Sequence, residues 1–201
     1  MCDAKFAAVN DMRRHVARMH SVDGVRWRKK EEQRIANLLT REGIAFQREV
    51  TVNFACCADN SDKQSARIDF VIYAPTCVIA LEVDEDQHAT YDVTCDVSRM
   101  MKIVEMQALG VDASTHGETS IVFVRYNPNA YKIDGQIQRI GKAEREKRLI
   151  GVLRKLLLDT KQVPVQILYM FYDLRENQLC ILGDAEYDVS VKPMVKDSLS
   201  M

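Results

Sequence analysis

At 201 residues, 47% of them hydrophobic and with a net charge of −1, the chain can bury the core of one ordinary domain, with at most a small appendage. No apolar run approaches the roughly 18 residues of a membrane span and no apolar leader opens the chain, so neither a membrane-spanning nor a secreted protein is expected. The near-neutral total hides a division: residues 1–30 hold eight Lys or Arg against three Asp, a net of +5 that leaves −6 for the remainder. A concentrated basic arm of this kind reads either as a solvated tail or as a phosphate-binding element that works through local contacts and counterion release.

Residues 1–27 form the expected arm and linker. Cys2, Phe6, Met12, His15 and His20 follow the order Cys, three residues, aromatic, five residues, large apolar, two residues, His, four residues, His. This resembles the second half of a classical zinc finger, and the resemblance implies Cys2, His15 and His20 as zinc ligands. A first cysteine is missing, so the half-finger is degenerate, belongs to a longer chain, or takes its fourth ligand from elsewhere. Val22 to Lys30 read as a basic linker with Trp27 as an anchor. Arg13, Arg14, Arg18, Arg28, Lys29 and Lys30 are the phosphate-contact candidates in this region.

From about Arg28 to Arg41 the spacing of Ile35, Leu38 and Leu39 predicts a helix stopped by Gly43, with Glu31 and Glu32 on it. A strand is expected over 45–54, followed by a polar loop containing Cys56 and Cys57. With Cys2, Cys77, Cys95 and Cys180 these make six cysteines without disulfide-framework spacing, which implies a reducing, intracellular compartment, nuclear or cytoplasmic.

Arg67 to His88, RIDFVIYAPTCVIALEVDEDQH, organises the chain. The runs 68–73 and 77–81, joined by Ala-Pro-Thr, predict a hairpin that sets Asp69 beside Glu82. Asp84 shares the face of Glu82 on a strand. Carboxylates beside apolar runs need a counter-charge, and a divalent cation with oxygen ligands, most plausibly Mg2+ or Mn2+, supplies it. A helix is then expected from Asp92 or Val93 to Leu109, with Val97, Met100, Met101, Val104 and Ala108 inward. A buried strand follows over 121–125, then a helix over 139–158. Residues 165–182 read as a terminal hairpin around Arg-Glu-Asn-Gln, within a C-terminal unit of helix and hairpin spanning 136–185.

Taken together, GIAFQRE, RIDFVI, LEVDEDQH, the Asp96-x-x-Arg99 helix pair and VFVRYNP resemble the PD-(D/E)XK nuclease superfamily, closest to the Vsr-like branch and its EDxHD homing-endonuclease relatives. The match covers about residues 28–131. It implies an α/β (α+β) fold over 28–201, a restriction-endonuclease-like core with a mixed central sheet flanked by helices, and an Mg2+-dependent DNA endonuclease or nickase. The alternative is an inactive nuclease-fold DNA-binding protein. By the resemblance Asp69 and Glu82 are metal ligands, Glu32 rather than Glu31 is the helix glutamate, and Asp84, Gln87 and His88 complete the catalytic candidates. An imidazole with a pKa of about 6.5 suits His88 to proton transfer or phosphate contact. Asp84 stands where the superfamily usually has lysine, and Ile68 where it has proline. Arg67, Arg99 and Arg125 are the cations expected to offset repulsion between carboxylates and phosphate. DNA is the expected partner, a homodimer a further expectation, and a membrane is not one.

Overall fold

Val22–Arg41 form one helix, α1, in a computed structural model that describes residues 22–54, 65–88, 92–110, 120–159 and 163–197. Cys2, Arg13, Arg14, His15, Arg18, His20, Cys56 and Cys57 lie outside those residues, and so do the side chains of Arg28, Lys29 and His88. The expected linker 22–27 is thus helical. A lone Gly24 costs a helix about 1 kcal/mol, too little to end one anchored from Glu31 onward. Ile35, Ala36, Leu38 and Leu39 are buried on its inner face. Gly43, at φ 70°, ends the helix: Ile44 N donates to Leu39 O and Glu42 N to Leu38 O. Only glycine takes that left-handed position without a Cβ penalty.

Strand β1 (Gln47–Asn53) pairs antiparallel with β2 (Ser65–Tyr73), and β2 pairs antiparallel with β3 (Cys77–Val83). The expected Ala-Pro-Thr hairpin is present, with Ala74 N donating to Cys77 O at 2.9 Å. After β3 comes a single turn, Glu85–His88, and then helix α2 (Val93–Gly110). Strand β4 (Ser120–Tyr126) lies parallel to β3, and every one of its residues is buried, as its uninterrupted apolar run requires when both sheet faces are covered.

The chain then makes a short hairpin of β5 (Lys132–Ile133) and β6 (Gln136–Ile137), turning at Asp134 and Gly135, both left-handed. Asp-Gly between strands is the signal for such a turn. Helix α3 (Lys142–Leu158) follows. Strand β7 (Val165–Met170) enters the main sheet parallel to β4 rather than forming the expected terminal hairpin. The run breaks at Phe171, buried at φ 63°, whose carbonyl accepts from Asn127 Nδ2 at 2.8 Å. Beyond the break, β8 (Leu174–Arg175) and β9 (Gln178–Leu179) pair about Glu176 and Asn177 in a small second sheet of order β6-β5-β8-β9. A last strand, β10 (Val195–Asp197), closes the main sheet, of order β1-β2-β3-β4-β7-β10.

The architecture is mixed α/β with a mixed central sheet between helices. One face carries α1 and α3, which pack Leu39, Leu149 and Leu153 against Phe70, Ile79, Leu81 and Val124. The other carries α2, which packs Val97, Met100 and Ile103 against Ala80, Phe123 and Tyr169. Among the described residues no helix is long and apolar enough to cross a membrane.

Candidate functional site

Asp69 and Glu82 meet where the β2–β3 ladder stops. The last backbone pair is Phe70 with Leu81. One step further the Asp69 carboxylate takes the place of a backbone acceptor, and Val83 N donates to its Oδ2 at 2.9 Å. On the other side of β2 the register runs from Arg48–Phe70 to Val50–Ile68 and skips Glu49, whose φ is 50°. Asp69 therefore sits at an interruption of both ladders, half-buried, next to a buried Glu82.

Glu32 approaches from α1. Burial, then the charge of Asp69, raises its pKa, with Glu49 adding and Arg67 and Arg48 opposing. Glu31, one residue earlier, faces α3 and pairs with Lys142. The helix glutamate that faces Asp69 is thus Glu32. Glu82 is pushed up to about 8, by burial first; Arg99 opposes the shift, Asp69 adds to it, Arg125 opposes and Asp84 adds. Asp69 on β2 thus acts on carboxylates from two other elements, raising the pKa of Glu32 on α1 and of Glu82 on β3.

Arginines supply counter-charge to these carboxylates. Arg99 Nη2 on α2 donates to Glu82 Oε1 at 3.0 Å and lies 3.4 Å from Asp96 Oδ1. Arg125, register partner of Glu82 on β4, is wholly enclosed. Its Nε meets Asp84 Oδ2 at 2.5 Å and its Nη2 meets Asp96 Oδ2 at 2.6 Å. Burial works against its charge, yet Asp84 and Asp96 hold the guanidinium well above its ordinary range. Tyr172 donates to Asp84 Oδ2 at 2.6 Å, its phenol driven upward by burial and then by Asp84. Asp84 and Arg125 are therefore in the interior, holding the sheet end to α2, and neither lies at the surface.

Gln87 is bound in both directions by Asp173: Nε2 donates to Asp173 Oδ1 at 2.8 Å, and Oε1 accepts from Asp173 N at 2.6 Å. Asp86 and Gln87 are both left-handed, a conformation costly for residues with a Cβ. The Asp173 clamp, with Asp86 N donating to Asn129 Oδ1 at 3.3 Å, holds the turn that ends at His88. Arg67 is exposed and 3.9 Å from Glu49, and its carbonyl accepts from Arg99 Nη1 at 3.1 Å. Lys30 is exposed on α1.

Asp96, Tyr172, Asp173, Asn127 and Asn129 are structural partners of the site that sequence reasoning did not assign. Asp96 was marked by its Asp-x-x-Arg spacing. Tyr172 and Asp173 carried no signal, because they lie inside an apolar run and reach the site only through the bend at Phe171.

A metal ion finds a partial donor set here. Among the described residues no three His, Cys, Asp or Glu side chains are grouped to hold one. Magnesium, however, is commonly held by one or two carboxylates with water and substrate phosphate completing its shell. The crowding of Asp69 and Glu82 fits that arrangement, since a dication would relieve their mutual repulsion. Comparison with known proteins finds no match among family models, curated proteins or solved structures.

Proposed function

We propose that the chain is a metal-dependent DNA endonuclease or nickase that hydrolyses phosphodiester bonds at Glu32, Asp69 and Glu82. The observation that carries this reading is the convergence of carboxylates from three separate elements on Asp69, partly or fully buried, with burial first and the charge of Asp69 after it raising the pKa of Glu32 and Glu82. A fold does not keep such groups together for stability, because burying like charges costs free energy.

Asp69 and Glu82 would hold Mg2+ or Mn2+, with Glu32 acting on Asp69 from α1. The ion supplies activation of a water and neutralisation of charge developing on the phosphate. Glu82 must give up its proton to bind it. Arg99, a quarter exposed, and Arg67 at the surface set positive charge at the mouth, where a phosphate would otherwise meet carboxylates. The Gln87–Asp173 clamp fixes the turn that presents His88, which serves as proton shuttle or phosphate contact. The basic arm, with Arg13, Arg14 and Arg18 and its half-finger of Cys2, His15 and His20, adds phosphate contacts, with zinc as an optional second metal. A homodimer on DNA is compatible with this reading.

A second reading rests on two specific contacts. Arg99 already pairs with Glu82, and Asp84, at the superfamily's lysine position, is bound to Arg125. A nuclease fold retained only for DNA binding would have such contacts. Incubating purified protein with supercoiled plasmid in Mg2+, and in parallel with chelator, separates the two: nicked or linear product in Mg2+ alone supports the enzyme, and retarded but intact plasmid supports the binding protein.

A further inference from the structure

Arg99 is shared between two carboxylates with different freedom to move. Its Nη2 stands 3.0 Å from Glu82 Oε1 and 3.4 Å from Asp96 Oδ1. Asp96 is immobilised from behind, because its other oxygen is held at 2.6 Å by Arg125, whose side chain is wholly buried and also fixed to Asp84. Arg99 itself is 26% exposed and leaves a helix surface three residues after Asp96, the spacing at which helical side chains meet. Its guanidinium touches both carboxylates at once, with Nη1 on the Arg67 carbonyl at 3.1 Å, so release from Glu82 leaves it on Asp96. Arg125 cannot make such a move.

We propose that Arg99 is a displaceable partner: it is paired with Glu82 when no metal is present and shifts to Asp96 when a divalent ion binds, staying at the site to meet a phosphate oxygen. Asp96 is the positioning residue that receives it, and Arg125 holds Asp96 in place. This deepens the metal-dependent reading and rests on it. The physical reason is direct. A dication bound to the Glu82 carboxylate repels a guanidinium paired with the same group at low dielectric, which weakens the Arg99–Glu82 contact, and a second carboxylate within reach lowers the cost of releasing it. Without Asp96 the displaced guanidinium would move into solvent or remain on Glu82.

The test measures Mg2+ binding alone, without DNA, by isothermal titration calorimetry of the full chain. Arg99→Gln removes the competitor and should tighten Mg2+ binding on the order of tenfold. Arg99→Lys, which keeps the charge, should stay near wild type. Asp96→Asn removes the receiving charge and should weaken binding several-fold, whereas in the Arg99→Gln background the same change should do nothing. This non-additivity separates the exchange from a merely structural role for Asp96, and Arg99→Met, which keeps the stem and removes the charge, replaces Arg99→Gln in the comparison if that variant folds poorly. Equal Mg2+ affinity in wild type and all variants, or additive effects in the double variant, overturns the displacement while leaving the metal site standing. Absence of Mg2+ binding in wild type and variants alike overturns the metal-dependent reading and the displacement with it.

Discussion

Glu82→Gln isolates what the site costs the fold. The Glu82 carboxyl is fully buried with a pKa of about 8, against 4.5 when unfolded. A raised folded pKa means that the unfolded chain ionises first, so the contribution of Glu82 to stability is complete below pH 4.5 and is lost as pH rises through 8. At about 1.4 kcal/mol per pKa unit, the loss is on the order of 1 kcal/mol at pH 5, about 3 at pH 7 and about 5 at pH 9. Glutamine cannot ionise and keeps nearly the same shape. Urea unfolding of both proteins at these three pH values should therefore show the variant gaining on wild type by about 2 kcal/mol between pH 5 and pH 7. Millimolar Mg2+ at pH 9 should restore much of the wild-type deficit and leave the variant unchanged, because only the carboxylate is a ligand. Parallel pH profiles for the two proteins would refute the reasoning, showing that Arg99 keeps Glu82 ionised throughout.

Arg125→Met strands Asp84 and Asp96 in the interior and should destabilise the fold by about 3–5 kcal/mol; adding Asp84→Leu should recover part of that loss, and chemical denaturation of the single and double variants checks both. Deleting residues 1–21, which stops short of α1, should weaken DNA affinity and flatten its salt dependence by nearly one unit of slope for each phosphate that the arm neutralises. An unchanged slope in a salt titration of the two proteins would make the arm a passive tail. His88→Ala should slow single-turnover cleavage by roughly a hundredfold while Mg2+ affinity stays put; recovery in His88→Gln would assign His88 to phosphate contact rather than proton transfer, since an amide does not titrate.

The parts of this fold legible in the sequence are those governed by local pattern. The apolar runs of β2, β3 and β4 and the periodicity of α2 and α3 needed no tertiary information. The proximity of Asp69 and Glu82 followed from a three-residue turn that leaves the hairpin little choice of register. The ends of elements were less legible. The stretch from Val22 to Trp27 read as linker because basic residues and one glycine resemble a tail, although neither stops a helix. Asp134-Gly135 was a turn signal attached to strands of only two residues, too short for an alternating pattern to show. The run from Val165 looked like one arm of a hairpin because nothing local marks Phe171 as left-handed; its conformation is tied to Asn127, 44 positions away in the chain.

The site shows the same division between local and distant causes. A spacing of two residues set Asp84 on the face of Glu82, but what an aspartate does there depends on which cation reaches it. That cation is Arg125, 41 positions on, with Tyr172 beyond it. Gln87 likewise carries the composition of a catalytic side chain, and its partner Asp173 comes into range only after the bend at Phe171. Glu32 and Glu31 could be separated in sequence only by their spacing to Ile35 and Leu39; the fold separates them by partner, Lys142 for one and the Asp69 side of the sheet for the other.

Asp69→Asn offers the most direct measurement, because it removes one charge at the centre of the three carboxylates and keeps an acceptor for Val83 N. Wild type and variant, matched for folding by circular dichroism and for DNA binding by gel shift, are incubated with supercoiled plasmid in Mg2+ and in chelator. The account predicts nicked or linear plasmid from wild type in Mg2+ only, and intact plasmid from the variant under every condition. Cutting by the folded variant at the wild-type rate, or wild-type protein that binds plasmid in Mg2+ and leaves it intact, would contradict it.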